Sequence, residues 1–329
     1  MKKIIGAGIL AFSLFAVTAC GDTNGGGNGE VAAHENYPEE QIRMIIPYSA
    51  GGATDIVFRL FASKAEEHLG ESIVPVNMPG ATSTVGSREV KDADPDGYTI
   101  LASHDVIALA KLSGVVDYSF EAFEPVANLT QTPNIATVHS EYGWETAEEF
   151  ADYVKANPGE VTWGMTAGST SHFFAVQMMQ ELGIEEGEMR LIGYEGTSDA
   201  ITATQAQDIH GVMTNVTSAQ GHLEEGTFAT LGVAHEERLA GIPDEPTFTE
   251  QGFEMTHKTS RGIFAPEGTP DEVVDKLVDA FQKAAEDPEL QEEIEELGSL
   301  VEFTTGDAYK EFLNNLESDL EELADTMDF

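Results

Sequence analysis

Short apolar segments rich in β-branched residues alternate along the chain with longer segments whose apolar positions recur at helical spacing. Gln41–Tyr48 and Ile73–Asn77 are predicted strands, and the residues between them predict a helix that ends at Gly70. A predicted turn at Pro95–Gly97 precedes another strand, Tyr98–Ser103. This alternation of strands and helices predicts an α/β architecture with mainly parallel sheets.

The same pattern recurs in the second half of the chain. Val161–Gly164 and Met189–Tyr194 are predicted strands, and apolar residues at helical spacing between them predict a helix that ends at Gly183. Another strand is predicted to begin at Gly262. The C-terminal region is predicted to be helical over three segments that begin near Pro or Asp: Pro270–Glu286, Pro288–Leu297 and Asp307–Thr326.

The N-terminus combines a basic start, an apolar run over Ile4–Val17 and small residues before Cys20, which are the features of a secretory signal peptide. The run is shorter than the roughly 20 apolar residues that a membrane-spanning helix requires. Val17–Cys20 resembles a bacterial lipobox, so residues 1–19 are predicted to be a lipoprotein signal peptide and Cys20 the lipidated first residue of the mature chain. The alternative is an ordinary signal peptide followed by a chance cysteine.

Residues 20–36 are rich in glycine and polar residues and show no periodicity, which predicts a flexible tether. The folded part is predicted to begin at Tyr37. About 290 residues remain after the tether, which is enough for two domains of ordinary size.

The chain is strongly acidic, with 59 Asp and Glu against 16 Lys and Arg, and its formal charge is −43. Loss of Lys2 and Lys3 with the signal peptide makes the charge of the mature chain −45. A nucleic-acid partner is excluded because phosphate binding needs concentrated positive charge, and anionic lipid would repel the chain. The excess of acidic residues is typical of proteins that stay soluble in high salt, or of a merely acidic secreted protein.

Three predicted junctions between a strand and a helix are rich in Gly, Ser and Thr. Backbone N–H groups at a helix N-terminus are unpaired and bind anions, and ligands of open α/β sheets lie at the carboxyl ends of strands. Together the junctions therefore predict a carboxylate-binding site, while each alone also fits a capped helix. The candidate ligand-binding residues are Tyr48, Ala50, Gly51, Gly52, Thr54 and Asp55 in the first loop (Tyr48–Asp55), Gly168, Ser169, Thr170, Ser171 and His172 in the second loop (Gly168–His172), and Tyr194, Gly196 and Thr197 in the third loop (Tyr194–Thr197).

Two charged residues near these loops each allow two interpretations. Asp55 either contacts a ligand or, as we favour, braces the first loop by accepting hydrogen bonds from backbone N–H groups. Arg261, just before the strand predicted at Gly262, is either a bidentate partner for a second carboxylate of the ligand or part of a structural ion pair.

No arrangement typical of catalysis or of a metal site stands out in the sequence. Ala167–Ser171 lacks the final glycine of a nucleophile elbow, no His/carboxylate cluster has metal-ligand spacing, and Gly51–Thr54 lacks the ending of a phosphate-binding loop. We therefore predict a binding protein with no catalytic residue, metal or cofactor. An extracytoplasmic hydrolase that uses Ser171 and His172 is an alternative, as is a receptor that passes its ligand-bound state to a sensor kinase.

Several short segments carry distinctive combinations of Gly, Pro and Asp: Ile42–Asp55, Asn77–Ala81, Asp94–Thr99, Ala167–His172, Tyr194–Thr197, Ile242–Thr247 and Phe264–Pro270. In sequence and in order they resemble the Bug-type substrate-binding receptors of tripartite tricarboxylate transporters. This resemblance implies an α/β, two-lobed periplasmic-binding-protein-like fold with a ligand cleft between the lobes. It also implies a monomeric extracytoplasmic receptor that captures a mono-, di- or tricarboxylate for membrane permease subunits.

The resemblance further implies where the lobes divide: lobe 1 comprises residues 37–138 and 260–329, and lobe 2 comprises residues 139–259. It implies that the first two loops hold the ligand carboxylate, partly through water. The chain departs from the family at Ala206-Gln207, where the family usually has two glycines, and at His210, where it usually has aspartate. Ser260–Gly262 also stands where the family often has an aromatic residue, in a region that faces the cleft.

Overall fold

The computed structural model describes residues 36–324, so the predicted signal peptide, Cys20 and almost all of the tether lie outside the described residues, as does the end of the last predicted helix. Two β-sheets organise the described part of the chain. The first contains β1 (Ile42–Ile46), β2 (Ile73–Asn77), β3 (Thr99–His104), β4 (Phe123–Pro133), β10 (Lys258–Pro266) and β11 (Leu300–Thr305), in the order β11-β4-β10-β3-β1-β2. The second contains β5 (Ile135–His139), β6 (Thr162–Met165), β7 (Arg190–Gly193), β8 (Gly211–Thr214) and β9 (Phe228–Val233), in the order β7-β6-β8-β5-β9.

Helices connect these strands and cover the sheets. They are α1 (Ala53–Leu69), α2 (Thr84–Lys91), α3 (Val106–Leu112), α4 (Ala147–Ala156), α5 (Thr170–Glu181), α6 (Thr197–Gln205), α7 (Val216–Glu224), α8 (Asp271–Ala285), α9 (Pro288–Glu296) and α10 (Gly306–Ala324). Local signals set some of these bounds directly. Helix α1 ends before Gly70, which adopts the left-handed conformation with φ 81° and closes the helix as predicted.

Both sheets are mixed, so the prediction of mainly parallel sheets is wrong. In the first sheet β1 is parallel to β2 and β3, but β10 is antiparallel to β3 and β4, and β11 is antiparallel to β4. In the second sheet β6 is parallel to β7 and β8, whereas β5 is antiparallel to β8 and β9. Strand–helix–strand units produce the parallel pairs. Each of these antiparallel pairs involves β4, β5 or β10, which are strands next to the points where the chain crosses between the sheets.

Each sheet has a hydrophobic core of its own. Phe58 and Phe61 of α1 belong to the core of the first sheet, and Phe150 and Trp163 belong to that of the second. A further cluster joins the two parts, because Phe173 of α5 shares it with residues of α10. The two sheets are therefore held together by packing as well as by the chain that passes between them.

Candidate functional site

The first loop connects the end of β1 to the N-terminus of α1, and its residues Ser49–Gly52 are exposed. Gly51 adopts the left-handed conformation with φ 81°, which a side chain would strain, whereas Gly52 is extended with φ −77° and ψ 162°. No side chain caps α1, since Gly52 occupies the N-cap position. The first amides of α1 and the positive end of its dipole are thus available to an anion at this exposed loop.

Asp55 makes the contacts of a bracing residue. Its carboxylate accepts hydrogen bonds from the backbone amide of Gly51 at 2.8 Å, from Arg59 Nε at 2.9 and 3.0 Å, and from Asn77 Nδ2 at 2.8 Å. Burial raises the pKa of this carboxyl, but the hydrogen bonds from Arg59, Gly51 and Asn77 outweigh that effect and hold the pKa below its usual value. Asp55 therefore fixes the turn of the first loop and has Arg59 as its counter-charge.

Arg261 lies inside β10, where its backbone pairs with His104 of β3 and Thr130 of β4. The sequence analysis placed Arg261 before the strand. That placement is wrong because the strand begins earlier, at Lys258, and includes the polar residues before Gly262. The side chain is 3% exposed, its Nε donates to Thr54 Oγ1 at 3.1 Å, and its Nη1 donates to Thr132 Oγ1. Burial lowers the pKa of Arg261 to about 10, so the guanidinium stays charged at neutral pH. The structure thus brings Arg261 to the first turn of α1.

The second loop is held by bonds among its own residues and those just before it. Ser169 Oγ donates to the carbonyl of Thr166 at 2.8 Å, and Ser171 Oγ accepts from the amide of Thr166 at 2.9 Å. Gly168 adopts φ 65° and packs closely on Ser113 after α3, where a Cβ atom would lie 2.4 Å from Ser113 Oγ. The serine hydroxyls therefore shape this loop, while Ser169 leaves the N-terminus of α5 without a side-chain cap.

Asp105, which sequence reasoning missed, links the second loop to the first sheet. Its Oδ2 accepts from Thr170 Oγ1 at 2.9 Å, and its Oδ1 lies 2.8 Å from His104 Nδ1. The ring of Tyr48 stacks on His104 with centroids 4.5 Å apart, and its hydroxyl lies 3.0 Å from Ser103 Oγ. A continuous chain of contacts thus connects the first and second loops. The signal that would have found it is the polar run Ser103–Asp105, which ends β3 at the carboxyl end of a parallel strand.

His172 points to a different part of the molecule. Its Nδ1 accepts from the amide of Gly168 at 3.3 Å, and its ring lines an apolar cavity of about 550 Å³ between α5 and β7 together with Val176 and Met179. Burial lowers the pKa of His172. A second cavity of about 500 Å³ lies between α5 and α10. Neither cavity is lined by the first loop, but His172 of the second loop lines the first cavity and Asp105 lines the second.

The third loop precedes α6 and is more open. The amide of Tyr194 donates to the carbonyl of Met165 at 2.8 Å, which continues the pairing of β6 and β7. Burial raises the pKa of the Tyr194 phenol. Gly196 occupies the N-cap of α6 without a side-chain cap, and a Cβ atom there would meet nothing within 4 Å. The second and third loops follow β6 and β7, which are neighbouring parallel strands, with Met165 opposite Gly193. The first loop, the second loop and Arg261 are linked by side-chain contacts, whereas the backbone hydrogen bonds of described residues 194–197 stay within the second sheet and α6.

Residues 36–324 contain no group of three or more His, Cys, Asp or Glu side chains that would hold a metal ion. Over the same residues, no helix combines the length and apolar character needed to cross a membrane.

The structure has two mixed β-sheets, covered by helices and connected where the chain crosses from one sheet to the other. Glycine-rich loops follow the ends of parallel strands. These features define a protein of the periplasmic solute-binding class. The chain belongs to the tripartite tricarboxylate transporter receptor family, because the model of the "Tripartite tricarboxylate transporter family receptor" matches residues 57–319. A relative from Cupriavidus necator, the UPF0065 protein in the gbd 5'region, is 29% identical over 288 residues, which cover 85% of each chain.

Solved structures agree with this assignment. The periplasmic binding protein BugD is 29% identical and superposes with a TM-score of 0.74 over 88% of this chain and 98% of BugD. MatC from Rhodopseudomonas palustris, solved with bound malate, is 25% identical and also gives a TM-score of 0.74, over 88% of this chain and all of MatC. The predicted family and fold class are confirmed, and the protein is an extracytoplasmic substrate-binding receptor, not the hydrolase considered as an alternative.

Proposed function

We propose that the protein captures a small carboxylate outside the cytoplasm and delivers it to the permease subunits of a tripartite tricarboxylate transporter. The observation that carries this proposal is the uncapped N-terminus of α1 beside the buried guanidinium of Arg261, which together form an anion-binding position. Membership of the receptor family supports the partnership with permease subunits, and the malate bound to MatC supports a carboxylate as ligand.

In this proposal the ligand carboxylate accepts hydrogen bonds from the first amides of α1, with the uncapped N-terminus of α5 facing it from the second loop. Gly51, Gly52 and Ala50 give the ligand access to the backbone, and Asp55 keeps the turn in place. The third loop, including Tyr194, Gly196 and Thr197, would approach from the second sheet when the two parts close.

We propose that the two sheets are the centres of the two lobes. Because β5 pairs with β8 and β9, we place the first passage between lobes at Asn134 and not after Val138. The second passage lies between Val233 and Lys258, since β10 begins at Lys258 and belongs to the first sheet.

A thermal-unfolding screen with mono-, di- and tricarboxylates tests the carboxylate proposal. We expect at least one of these acids to stabilise the protein, by about 2.7 kcal/mol at a concentration one hundred times its Kd. Sodium chloride at matched ionic strength controls for screening of the acidic surface. A folded protein that no carboxylate stabilises would contradict the proposal.

We also propose that Cys20 carries the lipid that anchors a monomeric protein to the cell membrane, with residues 21–36 as the tether. The lipobox-like segment Val17–Cys20 supports this anchor. Full-length Cys20→Ala is expected to move from the membrane fraction to the soluble fraction of cells. Recovery of the unaltered chain in the soluble fraction would count against the anchor.

A further inference from the structure

Arg261 is a buried cation in a strongly acidic chain, yet it forms no ion pair within residues 36–324. By contrast, Arg43, Arg59 and Arg238 each pair with a carboxylate although their side chains are 42–44% exposed. With 59 acidic residues in the sequence, a structural partner for Arg261 would be easy to supply. The structural ion pair considered for Arg261 is therefore not what the fold provides.

The surroundings of Arg261 solvate its charge without neutralising it. Its side-chain hydrogen bonds within the described residues go from Nε to the hydroxyl of Thr54 and from Nη1 to the hydroxyl of Thr132, and none goes from Nη2. Asp105 interacts with the guanidinium electrostatically, but both of its oxygens are engaged by His104 and Thr170. Burying a charge without a counter-ion in contact is costly, so the guanidinium leaves a position where an anion would bind.

The position of Arg261 indicates where such an anion would bind. Thr54 lies in the first turn of α1, so the guanidinium stands beside the uncapped N-terminus of that helix. Asp105 and Thr170 connect the same region to the N-terminus of α5, which also has no side-chain cap. Each helix end contributes roughly half a positive charge, and the guanidinium contributes a full charge on a planar fork that suits a carboxylate. The region therefore offers positive charge in two separate forms beside the carboxylate of Asp105.

We propose that Arg261 contacts the ligand directly and is the residue by which this chain selects ligands that carry a second carboxylate. One carboxylate of the ligand binds the guanidinium, and the other binds the amides at the N-termini of α1 and α5. This inference rests on the proposed function and specifies the substrate class of the same site.

Isothermal titration with acids of matched length tests the substrate class without any variant. The probes are succinate, glutarate and adipate, each paired with the monocarboxylate of equal chain length: butyrate, pentanoate and hexanoate. We expect the best dicarboxylate to bind the unaltered protein at least about 30-fold more tightly than its monocarboxylate partner, as a desolvated charge pair predicts. Equal affinity within a pair overturns the inference while leaving the proposed function intact. Absence of binding by every mono-, di- and tricarboxylate overturns both.

Arg261→Gln and Arg261→Lys test the residue, with Arg238→Gln as a control for loss of a distant arginine. Arg261→Gln is expected to weaken dicarboxylate binding by about 30-fold or more and monocarboxylate binding by less than about 3-fold. Arg261→Lys should recover only part of the loss, because an ammonium cannot reproduce the fork. Equal losses for both acids, or unchanged affinity in either variant, overturn the assignment. Should Arg261→Gln fail to fold, the partial loss in Arg261→Lys decides the question.

Discussion

Gly52→Val is expected to lower the affinity for the carboxylate ligand by at least about 100-fold while lowering the free energy of unfolding by only about 1 kcal/mol, because valine is a poor N-cap residue. Gly52 is exposed, its backbone is extended, and the nearest atom to an added Cβ would be the carbonyl oxygen of Ser49 at 3.6 Å. The fold therefore tolerates valine, which favours extended backbone. The branched side chain would nevertheless cover the first amides of α1, and losing two hydrogen bonds to a charged group costs about 3 kcal/mol or more.

Isothermal titration with the acid that binds most tightly measures this loss, and chemical denaturation measures the stability of each variant. Gly51→Val is the less informative change, because φ 81° at Gly51 adds backbone strain to any effect on binding. Gly221→Ala serves as the control, since Gly221 is exposed on α7 and an added Cβ meets nothing within 4 Å. A folded Gly52→Val with the affinity of the unaltered protein would place the anion site elsewhere.

Asp105→Ala is expected to lower the free energy of unfolding by about 3–5 kcal/mol at neutral pH, because it removes two hydrogen bonds to a buried carboxylate. Asp105 is 5% exposed and bonds to His104 on its own sheet and to Thr170 of α5. Its removal leaves these two groups unpaired and cuts the polar link between the parts of the molecule that carry the first and second loops.

The effect should depend on pH in a defined direction. Burial raises the pKa of Asp105, but the hydrogen bond and charge of His104, with the hydroxyl of Thr170, outweigh it and hold the pKa below the usual value. Since the folded pKa lies below the unfolded one, the stabilisation is fully present above the unfolded pKa of about 4. It is lost as the pH falls through the folded pKa.

Urea denaturation of the unaltered protein and of Asp105→Ala, at neutral pH and again below pH 4, measures both parts of this expectation. The difference in stability should be largest at neutral pH and should shrink on acidification. Asp152→Ala, at an exposed position on α4, is expected to stay within about 0.5 kcal/mol of the unaltered protein. Equal stability of Asp105→Ala and the unaltered protein at neutral pH would show that the cluster does not stabilise the fold.

The sequence by itself determined the features that depend on neighbouring residues. The alternation of apolar strands and amphipathic helices predicted the α/β class, Ile73–Asn77 was predicted with the bounds that β2 has, and Gly70 ended α1 through its left-handed backbone. The glycine-rich junctions that precede α1, α5 and α6 were also visible, because helix starts and loop residues follow from local chemistry. Short segments such as Ile42–Asp55 were enough to identify the family.

Only the tertiary structure decided which of these features meet. Arg261 donates to Thr54, which lies 207 positions away in the sequence, and Thr170 donates to Asp105 across 65 positions. Periodicity records which face of an element is apolar, but it contains no information about the partner of a strand. The antiparallel pairing of β10 with β3 and β4 therefore could not be predicted, and that pairing is what carries Arg261 to the first turn of α1. The proposed anion site therefore depends on the meeting of the first turn of α1 with a guanidinium that is distant in the sequence.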